Sequence, residues 1–288
     1  MHPSAQPLEP RQPEIPSWTF VTVTYNSSEQ LRRHWKPGLP SSVRWIVVDN
    51  ASTDDSREVA ASLGAEVIAL PSNVGFGAAN NVGYARADTE FVAFVNPDVT
   101  ADWESLPRLG AAIDNSDGLV SPQLVNDDGS LQPNGRNWPF LLSKVLHRTS
   151  DGALNRSYRV YASNDEVRSV VWVMGAVLAG SRKMFDRLGG PWDDWFFVYY
   201  EDADICLRAR RLGIPTLVAG AVRWRHGWER ATSTVNARAW KREIPSMMKF
   251  YLRYPLLLSP FMGVTQRWLE KPGPSDDRRA APRDRTLQ

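Results

Sequence analysis

The feature that most limits how this chain can fold is an alternation of apolar, β-branched runs with helical patterns between Trp18 and Asp114. Runs at 18–24, 44–48, 66–70 and 90–95 read as strands. Helical patterns follow the last three: from caps at Ser52-Thr53-Asp54 to about Leu63, over 78–87, and over 103–114. Such alternation predicts an α/β fold, a mostly parallel sheet with helices on both faces. In sheets of that kind ligands lie beyond the carboxyl ends of the strands. Thr24, Asp49, Asn73 and Asp98 all fall at or just past a predicted strand end.

The second half is less regular. Residues 124–131 suggest a hairpin about Asn126-Asp127-Asp128-Gly129. The mixed stretch 133–165 is long enough to cover or bind something. A strand is expected over 167–179, then a short helix capped by Ser181 and ended by Gly189-Gly190. A helix over 201–212 stops at Gly213, two short strands follow at 214–218 and 222–225, and a last helix covers 236–252. No internal repeat is visible.

Composition narrows the function. The 288 residues are 42% hydrophobic, enough for a core, and 34 basic residues nearly balance 32 acids, so nothing marks a nucleic-acid binder. The charge is uneven. From Arg223 to Arg253 eight basic residues face two acids, a local charge of about +6 that leaves about −4 elsewhere. A phosphate ligand, an anionic membrane surface or a solvated helix face would each account for it. Cys206 is the only cysteine, so no disulfide framework exists and a cytoplasmic setting is expected. Residues 1–16 hold five prolines and no apolar stretch; they read as a disordered lead-in rather than a signal peptide. The apolar stretch 256–264 is too short to span a bilayer. Residues 271–288 read as a disordered tail.

Two acidic positions carry the chemistry. The strand ending at Val95 runs into Asn96-Pro97-Asp98, and Tyr200-Glu201-Asp202-Ala203-Asp204 opens a helix. A carboxylate at a strand end can hold Mg²⁺ or Mn²⁺, whose shell is often completed by water and substrate phosphates. A second carboxylate facing it can accept a proton. Helix capping is the ordinary alternative for each. The run from Trp192 to Tyr200 is rich in aromatics, as sugar sites are, although a core strand would also use them. Asp49 could accept a pyrimidine N–H or merely end a strand. Asn73-Val74-Gly75-Phe76-Gly77 is a glycine-rich strand-to-helix turn suited to close backbone approach to a phosphate ligand. His226 is either a metal ligand or a structural imidazole.

Five segments together resemble the family 2 glycosyltransferases of the GT-A fold, and in particular their bacterial rhamnosyltransferase-like branch. They are Val21-Thr22-Val23-Thr24-Tyr25-Asn26, Val48-Asp49-Asn50-Ala51-Ser52-Thr53-Asp54, Asn73 to Asn81, Asn96-Pro97-Asp98, and Glu201 to Arg208, in the family's order. The resemblance implies a Rossmann-like GT-A domain over 17–230, with a C-terminal helical region over 231–270. It implies an inverting transfer of a sugar from a nucleotide-sugar donor, dTDP-rhamnose or a UDP-sugar, with Mg²⁺ or Mn²⁺ as cofactor. The acceptor would be a glycan or a polyprenyl-diphosphate-linked hydroxyl in cell-surface polysaccharide synthesis. By the same resemblance Thr24, Asn26, Asp49, Asn73, Gly75, Asn80 and Asn96 would bind the donor, and Asp98 with His226 the metal. Asp202 would be the general base with Glu201 beside it, and Trp172, Gly175, Trp195, Asp204 and Trp228 would meet the acceptor. The chain departs from the family pattern at Asn96, where the metal motif has its first acid, at Met174, and at Pro191-Trp192-Asp193-Asp194.

Two rival readings fit the residues less well. A nucleotidyltransferase would want a basic, glycine-rich loop after the first strand, and Tyr25-Asn26-Ser27-Ser28-Glu29 lacks one. A non-catalytic sugar-binding module would not need both Asp98 and Asp202. The basic, aromatic stretch 240–268 could lie on the inner face of the cell membrane, pack on the domain, or form a homodimer contact.

Overall fold

Three of the four predicted strands of the first half form because their β-branched and aromatic residues are buried on both faces; the third, Glu66–Ala69, lies at the sheet edge and is only partly covered. Trp18–Thr24 (β1) is buried along its whole length. The computed structural model describes residues 17–141, 158–227 and 237–258. After β1 come α1 (Ser28–His34), β2 (Val43–Asp49), α2 (Ser56–Ser62), β3 (Glu66–Ala69), α3 (Phe76–Tyr84) and β4 (Phe91–Val95). Then follow β5 (Val99–Thr100), α4 (Leu106–Ser116) and β6 (Leu119–Val125). Strands β3, β2, β1 and β4 lie side by side and parallel. The helix α1 was not foreseen; its sequence signal is the apolar and partly apolar pair Leu31 and His34, both buried.

The caps expected for α2 work differently. Asp55 stands at the helix start without a side-chain cap bond. Asp54 instead accepts from the backbone N–H groups of Ser28 and Ser56, each at 3.1 Å. Ser52 and Ser56 accept from the N–H groups of Asn26 and Ser27, each at 2.9 Å. These side chains tie the loop after β1 to the loop after β2, so the polar residues serve a cross-loop brace at the strand ends.

The second half corrects two expectations. The run 167–179 is three strands, not one. Val167–Val170 (β9) pairs with the long strand β12, Trp172–Val173 (β10) joins a small sheet with β7 (Gly135–Arg136) and β8 (Arg159–Val160), and Val177–Ser181 (β11) enters the main sheet. The chain turns at Met174-Gly175-Ala176, and β11 then lies antiparallel between β4 and β6. The two strands expected at 214–218 and 222–225 are one, β12 (Thr216–His226), whose register with β6 shifts between Ala219 and Arg223. A bulge kept the apolar pattern from reading as continuous. The main sheet runs β3-β2-β1-β4-β11-β6-β12-β5. The remaining helices are α5 (Arg182–Arg187), α6 (Glu201–Arg211) and α7 (Ala237–Arg253).

Apolar clusters cover both sheet faces. On one, Trp35 stacks flat on Trp45 at 3.9 Å between ring centroids. On the other, Phe94, Phe185, Trp192 and Tyr84 form edge-to-face contacts. Phe250, Tyr251 and Tyr254 bring α7 and the residues after it into that second cluster, against Tyr200. The C-terminal helix thus packs against the helices of the sheet domain.

Candidate active site

The carboxyl ends of β1, β2 and β4 border a cleft of about 340 Å³ lined by Tyr25, Gln30, Asn50, Asn73, Gly75, Phe76, Asn96, Asp98, Phe197 and Val198, among others. Its floor is a loop clamp. Asn50 donates to Asn73 Oδ1 (3.0 Å) and to the Gly75 carbonyl (3.2 Å), and its own Oδ1 accepts from the Val74 N–H (2.9 Å). Gly75 has φ of +93°, and a Cβ there would stand 2.5 Å from the Phe197 carbonyl oxygen. Only glycine permits that approach, which brings the Phe76 N–H to the same carbonyl at 2.8 Å. The aromatic run is further pinned by Asn81, whose amide bonds both the N–H and the carbonyl of Trp192, at 3.1 and 2.8 Å. Phe197 and Val198, from far along the sequence, therefore form a wall of the cleft.

Asp98 and Asp202 come to the same end of the sheet through β11. The Asn96 N–H donates to the Ala176 carbonyl at 2.9 Å, and the next residue back, Gly175, donates its N–H to Asp202 Oδ2 at 3.1 Å. Asp202 Oδ1 also accepts from the Ala203 N–H at the start of α6. Tyr199 and Tyr200, just before that helix, both have positive φ, +69° and +72°. Bulky residues rarely adopt this conformation, and strain of that kind gathers at functional sites. Glu201 is buried beside Asp202. Arg136 of the small sheet is buried close by, its guanidinium on Met174 Sδ at 3.1 Å and its charge acting on Asp202.

Asp98 faces His226, with Nε2 3.4 Å from Oδ2. The ladder between β5 and β12 sets His226 opposite Val99, which fixes this pairing. Burial pushes the Asp98 carboxyl up, but the neighbouring His226 imidazole, with His34 beyond it, outweighs burial and holds the group below the usual carboxylate range. Asp98 Oδ1 is buried and has no hydrogen-bond partner. A buried ionised oxygen without a donor calls for a cation. Among the described residues no group of three or more His, Cys, Asp or Glu could hold a metal ion. The pair Asp98 and His226 fits a divalent cation that takes its other ligands from water and a diphosphate. His34 lies behind them, bonded to Thr100 through Nδ1 at 3.0 Å, and burial lowers its pKa.

Of the residues singled out from sequence, Asn73, Gly75, Asn96 and Asp98 line the cleft. Thr24 and Asp49 lie beneath it, both buried. Thr24 donates to Asp49, which also accepts from the Ser52 N–H and lies 3.4 Å from Arg57 Nε. Asn26, at φ +54°, is turned to the Thr53 backbone. Asn80 is buried and bonds back to the Phe76 carbonyl. Trp172 is buried in the small sheet and donates to the Asn137 carbonyl. Trp195 is partly exposed under Arg253, 4.7 Å from its ring centroid. Asp204 is fully enclosed, accepting from Arg208 (2.9 Å), Arg253 (2.9 Å) and Tyr254 (2.8 Å), a brace between α6 and α7. Trp228 lies outside the described residues. Sequence reasoning passed over Tyr25, Asn50 and Phe76 although each sits inside a quoted motif, and Phe197 although it lies in the aromatic run. Gln30, Gln132 and Arg136 had no motif to mark them.

The glycosyl transferase family 2 model matches residues 19–188, more than half of the chain. The chain belongs to that family and is a glycosyltransferase. It is 28% identical to the N-acetylglucosaminyl-diphospho-decaprenol L-rhamnosyltransferase of Mycobacterium tuberculosis, over 67% of this chain and 70% of that protein. It is 24% identical to the low-salt glycan biosynthesis hexosyltransferase Agl10 of Haloferax volcanii, over 71% of this chain and 65% of that one. The fold is similar to S. aureus TarS 1-349 in complex with UDP-GlcNAc, with a TM-score of 0.55 at 16% identity, covering 85% of this chain and 71% of that chain. It is similar too to GalNAc-T7 with UDP, GalNAc and Mn2+, with a TM-score of 0.58 at 13% identity, covering 88% and 50%. These likenesses agree with the GT-A sheet described above.

Proposed function

We propose that this protein is an inverting, metal-dependent glycosyltransferase that moves a sugar from a nucleoside-diphosphate donor to a glycan or polyprenyl-diphosphate-linked hydroxyl in cell-surface polysaccharide synthesis. The observation that carries this reading is that the Asn96-Pro97-Asp98 segment, through the Asn96 N–H, and the Asp202 carboxylate are bonded to adjacent residues of one turn, Gly175-Ala176, beside the cleft that Asp98 lines. Tyr25 and Asn73 would receive the nucleoside, the half-exposed Tyr25 ring offering a face for a base. Asp98 and His226 would hold Mg²⁺ or Mn²⁺, which when bound would neutralise the departing diphosphate. Asp202 would take the proton of the acceptor hydroxyl as it attacks the anomeric carbon opposite the leaving group. The Gly175 N–H holds the base carboxylate in one orientation while it waits.

Candidates for the donor come from the relatives. A rhamnosyltransferase and structures holding UDP, UDP-GlcNAc or GalNAc make dTDP-rhamnose and UDP-sugars the candidates. A thermal-shift panel of nucleotide sugars with and without Mn²⁺ tests this; stabilisation by none of them overturns the reading. Asp202→Asn should keep donor affinity while turnover falls by roughly 10²–10⁴-fold. Unchanged turnover removes Asp202 from the role.

A lipid-linked acceptor suggests action at the inner face of the membrane. Among the described residues no helix is long and apolar enough to cross one. Ile244, Met248 and Leu252 stand exposed at successive helical turns on the outward side of α7, as a peripheral contact requires. Replacing all three by Glu should abolish sedimentation with anionic vesicles and leave the fold intact. A change from dimer to monomer instead would identify that face as a contact between copies.

A further inference from the structure

Gln132 makes no contact with the cleft and has no place in the reaction as written, yet it is completely buried and every polar atom of its side chain is used. Its Nε2 donates to the His226 carbonyl at 2.9 Å and to Asn126 Oδ1 at 2.8 Å. Its Oε1 lies 2.8 Å from His226 Nδ1. A backbone carbonyl can only accept, so the amide cannot turn round without setting two oxygens against each other. The oxygen is therefore fixed toward the imidazole, and the proton between them must belong to Nδ1. In the neutral ring Nε2 is then a bare lone pair. The opposite tautomer would donate from Nε2 to Asp98 Oδ2, but 3.4 Å is longer than an ordinary hydrogen bond of this kind.

We infer that Gln132 is a positioning residue that locks His226 in the Nδ1–H tautomer and turns Nε2, with the unpartnered Asp98 Oδ1, toward a divalent cation. The inference rests on the reading of Asp98 and His226 as the cation's protein ligands. Metal-bound imidazoles ordinarily donate their second N–H in this manner, which fixes the ring and raises its basicity. Gln132 is in turn held at both ends of its backbone. Its N–H bonds the Leu124 carbonyl at 2.8 Å, and its carbonyl accepts from Gln123 Nε2 at 2.7 Å. Asn134, two residues on, accepts at its carbonyl from the Met174 N–H at 2.9 Å, one residue before the Gly175 that bonds Asp202. One short segment thus registers the cation pair and the base against each other.

The test begins with the full-length wild-type protein free of metal. Long-range ¹H–¹⁵N spectra, with His226 assigned by comparison with His226→Asn, are recorded at a pH where imidazoles are neutral. A protonated Nδ1 and a bare Nε2 are expected; a neutral ring protonated on Nε2 overturns the inference. Gln132→Met, of similar size, removes the acceptor facing Nδ1 and should give a mixture of tautomers. Titration of Mn²⁺ in the presence of UDP should show roughly 10–100-fold weaker binding for Gln132→Met. Equal Mn²⁺ affinity in wild type and a folded Gln132→Met refutes the lock. If wild type itself shows no Mn²⁺ binding while His226 has the stated tautomer, the cation assignment fails and the inference with it.

Discussion

Replacing Gly75 by alanine tests whether the cleft is built by a glycine that lets two loops touch. The backbone there has φ of +93° and ψ of 168°, a conformation that residues other than glycine rarely adopt. Holding an alanine in it costs on the order of 1–3 kcal/mol. The new Cβ would also stand 2.5 Å from the Phe197 carbonyl oxygen and 3.0 Å from its Cα, both backbone atoms with no rotamer to yield. The loops must part, and the hydrogen bond from the Phe76 N–H to that carbonyl goes with them, at about 0.5–1.5 kcal/mol. Together the loss is about 2–4 kcal/mol, a fall in Tm of roughly 5–10 °C for a domain of this size. Function should suffer more than stability alone explains, because Asn73, Gly75, Phe76 and Phe197 all line the cleft. Thermal denaturation and the donor KM, measured well below Tm, provide the check. A variant with Tm within about 1 °C of wild type and unchanged donor KM would refute the argument.

Asp204→Asn should unfold the protein at lower denaturant, by about 3 kcal/mol, because it leaves Arg208 without its buried counter-charge and takes from Arg253 one of its two carboxylates, Asp193 remaining. Unchanged stability with a raised acceptor KM would return Asp204 to the acceptor site. Asp193 gives a pH prediction. Burial pushes its carboxyl up, but the Trp195 N–H and the Arg253 guanidinium outweigh it and hold the group below the usual range. The unfolded chain therefore binds the proton more readily, so the stabilisation is complete above about pH 4 and is lost as pH falls through the folded value. The stability gap between wild type and Asp193→Asn should be constant from neutral pH down to about 4 and close below it; a gap that widens in acid reverses the sign of the argument.

The alternation of periods was enough to identify β1, β2 and β4, because strands buried on both faces must be written in apolar, β-branched residues and local pattern reports burial directly; β3, at the sheet edge, was marked by its β-branched pair Val67-Ile68. Thr24, Asp49, Asn73 and Asp98 could be found because the end of such a strand is where polarity changes. The same logic failed over 167–179, where three strands of two sheets follow one another with only Gly175 to mark the turn. It failed again at Ala219 to Arg223, where a register shift breaks the pattern within a single strand.

Function divides along the same line. Sequence alone named the two acids, Asp98 and Asp202, since each follows a local signal, a strand end and a helix start. What brings their two segments to one turn is β11, an antiparallel strand whose preceding turn bonds Asn96 through Ala176 and Asp202 through Gly175. Only the packed structure could show that Asp204 faces Arg253 and Tyr254, that Phe197 closes on Gly75, and that Gln132 holds His226. Those are contacts between residues dozens of positions apart, and no periodicity of a single segment carries information about what lies across the sheet.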